Sequence, residues 1–139
     1  MEIKSMTIIS NILGYGPMPS SDEEVKQFLT VSSAGEVCCR RFCYGGGAEG
    51  YLEKEVQTVD IGESAADRIF DHIDKFIQTY RPVMMTDVAE WMLEAVYSNG
   101  EKANISGPMI GASTVDGIDL TEMIREEIPI KDLFVFDGC

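Results

Sequence analysis

The sequence contains one histidine, His72, and no CxxC pair among its four cysteines. Structural zinc sites usually take their four ligands from such cysteine pairs and from further histidines. The cysteines are Cys38, Cys39, Cys43 and Cys139. If the first three lie on a strand, the Cα atoms of Cys39 and Cys43 are about 13 Å apart, too far to form a disulfide or to share a metal ion. We therefore predict no metal site and no disulfide framework, as is usual in the reducing cytoplasm.

Basic side chains are also scarce, because 11 lysines and arginines stand against 24 aspartates and glutamates, for a formal net charge of -13. A field of this sign repels phosphate backbones and anionic lipids, so we expect no nucleic-acid partner and no membrane partner. No apolar run approaches the roughly 20 residues of a membrane-spanning helix, and no convincing signal-peptide cleavage site follows the first residues. We expect a soluble, cytoplasmic protein whose partner is a basic protein or a second copy of itself.

The 139 residues suffice for one ordinary domain, and 45% of them are hydrophobic, enough for a real core. We predict a single α+β domain over residues 1–139. Within it, residues 1–24 form an N-terminal segment and loop, and residues 25–139 form the main body.

The first half of the chain predicts strands, because apolar residues alternate with polar ones there. The predicted strands span residues 3–12, 25–33, 37–44 and 55–61. The first of them is expected at a sheet edge. Residues 14–22 and the glycine-rich residues 44–50 predict loops, and a turn at 33–36 joins the second and third strands into a hairpin.

A long helix is predicted after these strands. Ser64 is a suitable N-cap, and Asp67 three residues later completes a capping-box pattern. Apolar residues from Ala66 to Tyr80 recur at helical spacing and form one stripe. Pro82 ends the helix, because the residue before a proline avoids the α region.

Residues 88–97 fit a strand with Trp91 on its apolar face, but they also fit a capped helix. We favour the strand, because Asn99-Gly100 is a strong hairpin turn and residues 102–109 look like the returning partner. A short helix capped by Asp119 and a last strand over residues 133–136 complete the chain. The predicted fold class is α+β: a mainly antiparallel sheet of five or six strands, one long helix packed on one face, and a short second helix.

No catalytic residue and no cofactor are predicted. One alternative is a small cysteine-dependent enzyme using Cys39 or Cys43, since Arg41 shares a strand face with both and its charge favours the thiolate. The only imidazole available as a base is His72, at the border of the helical stripe. The glycines at 45–47 lack the Lys-Ser/Thr of a phosphate-binding loop.

Aromatic residues predict an interaction surface. One long helix and one short helix are not enough to cover a sheet of five or six strands, so Phe42, Tyr44 and Trp91 are candidates for an exposed patch. Such a patch also suits a further alternative, a structural homo-oligomer.

Several segments also resemble those of a known family. They are Leu29–Val37 (LTVSSAGEV), Asp87 with Trp91, Asn99-Gly100 with Gly107, residues 119–125, and the ending at 133–138. In this order the segments resemble an uncharacterised family of small acidic proteins from Firmicutes. The resemblance covers most of the chain from Leu29 onward and favours the strand around Trp91. It implies no activity, cofactor or catalytic residue.

These observations together favour a non-enzymatic module. We expect a protein-binding or regulatory protein with an acidic surface, because no nucleophile–base pair, metal-ligand set or phosphate loop can be assembled from the sequence.

Overall fold

The structure is a computed structural model that describes residues 2–12, 24–43, 52–81, 89–109 and 113–136. Along these ranges four strands are followed by a helix, four more strands and a second helix. Their bounds are β1 Ile3–Asn11, β2 Glu24–Ser32, β3 Glu36–Cys43, β4 Leu52–Asp60, α1 Gly62–Thr79, β5 Glu90–Tyr97, β6 Lys102–Pro108, β7 Thr114–Val115, β8 Ile118–Asp119 and α2 Leu120–Glu127.

Six strands form one antiparallel sheet in the order β4-β3-β2-β1-β5-β6, and β7 pairs with β8 in a separate small hairpin. The predicted α+β class and antiparallel sheet are therefore confirmed. The predicted edge position of the first strand is wrong, because β1 lies between β2 and β5, where Ile8 pairs with Leu29 on one side and Leu93 on the other. The loops predicted at 14–22 and 44–50 lie outside the described residues.

Alternation along the strands fixes which side chains reach the core. On β2, Val25, Leu29 and Val31 are each at most 2% exposed, as their spacing predicts. On β5, Trp91 and Leu93 are buried while the residues between and beside them are exposed. The strand prediction for residues 88–97 is thereby confirmed over the described part, and the helix alternative is wrong.

Helix α1 begins three residues earlier than its sequence pattern predicts, because its N-cap is Ile61 and not Ser64. The carboxylate of Asp60 accepts the backbone N–H of Gly62 at 2.9 Å, and no side-chain cap is made by the residue before the helix. The apolar stripe is confirmed, since Ile69 and Ile73 are fully buried in the same cluster as the inward residues of the sheet. Among the described residues, neither helix is long and apolar enough to cross a membrane.

Helix α2 has the predicted cap, because the Asp119 carboxylate accepts the N–H groups of Thr121 and Glu122 at 2.9 and 3.2 Å. Its buried residues Leu120 and Ile124 join the core cluster. This capping satisfies backbone donors that otherwise have no partner in the first turn.

The strand predicted over residues 133–136 is wrong. The segment is fully buried, but its hydrogen bonds go to side chains: Ser10 donates to the Val135 carbonyl at 2.6 Å, and Gln27 accepts the Phe134 N–H at 2.8 Å. Val135 has a φ of 49°, in the left-handed region that an extended strand does not use. The segment is therefore a buried turn held by polar side chains of the sheet.

Candidate functional site

The three described cysteines do not converge on one site. Cys39 is fully buried in the core, while its neighbour Cys38 points to the opposite side of the sheet and is partly exposed, as expected of adjacent strand residues. Burial raises the pKa of the Cys39 thiol from its ordinary value of 9.0 to about 11, and the opposing charge of Arg41 does not compensate. Cys39 is therefore a neutral thiol near pH 7, not an activated nucleophile.

Arg41 is committed to structural contacts. Its side chain is 5% exposed and pairs with Glu24 at 3.0 Å and with Gln57 at 2.6 Å. The guanidinium also donates to the backbone carbonyls of Lys131 and Asp132. A planar group with five donors suits such a set of oxygen acceptors, so Arg41 anchors the C-terminal segment to the sheet.

His72 lies on α1 and is partly exposed. Its Nδ1 atom is 2.8 Å from the backbone carbonyl oxygen of Arg68, one turn earlier on the same helix. In the parts of the chain that the structure describes, no three His, Cys, Asp or Glu side chains come close enough to hold a metal ion.

The predicted aromatic surface is split between the two sides of the sheet. Trp91 is 2% exposed and packs in the core against Phe76, Tyr80 and Phe136, with ring centroids 5.7, 5.3 and 4.9 Å away. Trp91 therefore cannot contribute to a surface, because α1 and the C-terminal segment bury it. Phe42 points to the other side, and Tyr44 lies outside the described residues.

We name that other side the outward face: the strand positions that alternate with the buried ones. Its middle row of paired residues crosses all six strands. The row runs Val56, Arg40, Phe28, Ile9, Met92 and Ser106. Val56 and Met92 are each 49% exposed, which is unusual for large apolar side chains on a sheet.

One half of the outward face, on β2 and β3, combines aromatic rings with cations. Phe28 and Phe42 pack with ring centroids 5.4 Å apart. The Arg40 guanidinium lies 5.3 Å from the Phe42 ring centroid, and the Lys26 ammonium lies 5.3 Å from that of Phe28. Arg40 also bonds Glu53 on β4, in a half-exposed pair that contributes little stability. This half therefore offers flat apolar rings and mixed charge, since Glu36 and Glu53 lie near the cations.

The other half, on β5, carries two carboxylates. Glu90 and Glu94 are exposed on either side of Met92, two residues away along the strand. Their partners on β1, Asn11 and Thr7, are polar and uncharged. Both halves of the outward face therefore carry acidic groups, since Glu36, Glu53 and Asp60 lie on β3 and β4 beside the cations.

A shallow depression of about 490 Å³ lies at the β2-β3-β4 end of this face. Its outward lining includes Thr30, Cys38 and Thr58, which form one row across three strands. The lining offers hydroxyls, one thiol and the carboxylates of Glu36 and Asp60, but neither a histidine nor a lysine.

Sequence reasoning missed Phe28, Arg40 and Met92. Phe28 and Met92 do have a sequence signal. Phe28 lies between the inward residues Gln27 and Leu29, and Met92 lies between two core residues. Both are therefore large apolar residues on the polar side of a strand. No protein-family model matches the chain, and a search of curated proteins finds no similar sequence. The site therefore has to be judged from its own geometry.

Proposed function

We propose that this protein is a non-enzymatic protein-binding module and that the outward face is its binding surface. In this proposal α1 and α2 cover the inward face of the sheet. The supporting contacts are those of Phe76 with Trp91 and of Ile69 and Ile73 with the buried strand residues. The outward side chains are then left for a partner.

The observation that carries the proposal is the row that joins the exposed Val56 and Met92 through Arg40, Phe28 and Ile9, with Phe42 packed on Phe28. Apolar area removed from water contributes about 25 cal/mol per Å², and aromatic and arginine side chains are the commonest anchors of protein interfaces. Arg40, stacked on Phe42, supplies such an anchor. A protein partner can cover these groups together, whereas a small ligand in the shallow depression cannot.

The same observations disfavour a cysteine-dependent enzyme that uses Cys39; for the alternative with Cys43 they give no test. Cys39 is buried with a raised pKa, and Arg41 is already bonded to Glu24 and to backbone carbonyls. The nearest hydrogen-bond partner of His72 is its own helix. A nucleophilic cysteine needs a base or a cation that is not already engaged in other contacts. For Cys39, neither Arg41 nor His72 is available in this way.

Site-specific photo-crosslinking in cells tests the proposal. Benzoylphenylalanine replaces Phe42 or Met92 on the outward face, and it replaces Gln78, exposed on α1, as the matched control. We expect protein adducts from the first two positions and not from the third. Adducts from all three positions alike, or from none, would contradict the proposal.

The adduct masses also identify the class of partner. A mass of twice the chain indicates a second copy, and any other mass indicates a different protein, such as the basic partner that the net charge of -13 favours.

A further inference from the structure

Residues 131–136, which we name the strap, are held on the inward side of the sheet in a different way from the strands and helices around them. We propose that the strap is a releasable cover on a peptide-binding site, and that an apolar segment of another polypeptide takes its place when it opens. This site lies on the inward side of the sheet and is separate from the outward face.

Buried side chains hold the strap by its main chain. The side chains that bond its carbonyl and N–H groups are Ser10, Gln27, Arg41 and Arg125. The first three are each at most 5% exposed. Within the part of the chain that the structure describes, no backbone-to-backbone hydrogen bond joins the strap to a strand or a helix. The strap is therefore held as a bound peptide is held, and it can leave without breaking any strand pairing.

The backbone of the strap is strained. Val135 has a φ of 49° and Asp132 has a φ of 58°. Aspartate tolerates the left-handed region, but a β-branched residue such as valine is there only because the surrounding contacts hold it. Strain of this kind is concentrated in ligand clamps and switch segments. It weakens the strap as an occupant of the site, relative to a segment that binds without such a residue.

The connection between α2 and the strap can act as a hinge. Ile128 follows α2 in an extended conformation, with φ -111° and ψ 111°, as a residue before a proline prefers. The Ile130 N–H then donates to the Ile128 carbonyl at 2.8 Å, which closes a three-residue turn around Pro129. Changes of a few backbone torsions in this turn release the strap while α2 keeps its place, as in other hinges.

The strap itself shows which ligand the site takes. Residues 133–136 are each at most 8% exposed, and the Phe136 ring centroid lies 4.9 Å from that of Trp91 and 5.4 Å from that of Phe76. The side chains of the strap thus supply apolar contact, while its polar contacts are made by the main chain. The site therefore takes a segment with large apolar and aromatic side chains and requires no particular polar sequence.

Native-state hydrogen exchange on the full chain tests whether the strap opens by itself. The amide of Phe134, which donates to Gln27, is compared with the amide of Ile8 at the centre of the sheet. We expect the Phe134 amide to exchange at least about 100-fold faster, with little change at low urea, because a local opening exposes little surface. Equal rates with equal urea dependence would mean that the strap opens only in global unfolding, and would overturn the inference.

Binding of a peptide in trans tests the site. The probe is a fluorescein-labelled peptide with the sequence of residues 129–136 (PIKDLFVF), and its binding to the full chain is followed by fluorescence anisotropy. Phe136→Ala weakens the competing strap, so it should lower the apparent dissociation constant of the probe at least about tenfold. Gln27→Leu added to that chain removes contacts to the main chain of the probe and should raise the constant at least about tenfold. Gln78→Leu, at an exposed position on α1, is the matched control and should leave it within about twofold.

Far-UV circular dichroism confirms that each variant is folded, and Leu133→Ala serves in place of Phe136→Ala if the latter does not fold. Two results of the peptide experiment would overturn the inference: no binding to the folded chain with the weakened strap, or binding that Gln27→Leu does not weaken. Neither result changes the crosslinks expected at Phe42 and Met92, so the two proposals can fail independently.

Discussion

Replacing Gln27 with leucine should detach the C-terminal segment from the sheet. Gln27 is 1% exposed on the inward side of β2. Its amide donates to the Asp132 carbonyl at 2.7 Å and to Glu24 at 3.0 Å, and its carbonyl accepts the Phe134 N–H at 2.8 Å. Leucine has a similar volume, so the substitution removes these hydrogen bonds without opening a large cavity.

The expected loss follows from the Phe134 N–H, which is left without a partner, and from the Asp132 carbonyl, which keeps only its long contact with Arg41 at 3.4 Å. A buried donor or acceptor that loses its partner costs about 1–3 kcal/mol. The Phe134 N–H bond is buried and the Asp132 carbonyl bond is partly buried. We therefore expect Gln27→Leu to lower the free energy of unfolding by about 2–4 kcal/mol, a large part of the 5–15 kcal/mol typical of domains.

Urea unfolding followed by two probes measures this loss. Far-UV circular dichroism reports the whole domain, whereas Trp91 fluorescence also reports the C-terminal segment, since the Trp91 and Phe136 ring centroids are 4.9 Å apart. We expect the fluorescence transition of Gln27→Leu to begin at lower urea than the dichroism transition.

The control is Gln78→Leu, the same change at an exposed position on α1, which should shift stability by less than about 0.5 kcal/mol. If Gln27→Leu also stays within that range, the polar contacts of Gln27 do not hold the segment, and our account of residues 133–136 is wrong.

Three further predictions concern local structure. Because the pKa of Cys39 is higher in the folded protein than in the unfolded chain, stability should fall as the pH rises from about 9 to about 11, and Cys39→Ala should lessen that fall in pH-dependent thermal melts. Gly35 and Gly100 share a φ near +90°. A Cβ atom on Gly35 would lie 2.5 Å from the backbone at the start of α1, whereas a Cβ atom on Gly100 would meet nothing within 4 Å. Gly35→Ala should therefore lower the melting temperature much more than Gly100→Ala. In urea titrations, Asp119→Ala should lower the free energy of unfolding by about 1 kcal/mol and Ser64→Ala by less than half of that. The reason is that Asp119 caps its helix and Ser64 does not. Equal losses would contradict these caps.

The strands and hairpins were predictable because their signals are local. Alternation assigns Val25, Leu29 and Val31 to one side of β2 without any knowledge of what packs there. The Asn99-Gly100 turn likewise sets the register of β5 and β6, since a short hairpin leaves few other pairings.

The order of the strands was not predictable in the same way. β1 pairs with residues of β5 that lie 79–94 positions later in the chain, as in the contact of Ile8 with Leu93. Nothing near Ile8 in the sequence indicates that partner, and an apolar strand with no neighbouring hairpin signal suits an edge as well as an interior position. The position of β1 was therefore decided by this long-range pairing.

The candidate site was predictable only in part, for a related reason. Alternation shows that Trp91 and Met92 lie on opposite sides of β5, but it does not show which of the two is buried. Trp91 proved to be core because Phe76 of α1 packs on it. Phe42 remains on the outward face because its strand neighbour Arg41 is the residue turned inward.

The polar residues of the inward side explain why the strand predicted over residues 133–136 did not form. Apolar content at residues 133–136 indicates burial correctly, but burial does not specify which groups satisfy the backbone. Here Ser10, Gln27 and Arg41 come from inward positions of three neighbouring strands and bond the carbonyls and N–H groups of that segment. Polar residues in an otherwise apolar row are therefore the sequence signal for an irregular segment packed on the sheet. For Arg41 this structural role stands in place of the catalytic one, since its charge lowers the pKa of Cys39 by less than burial raises it.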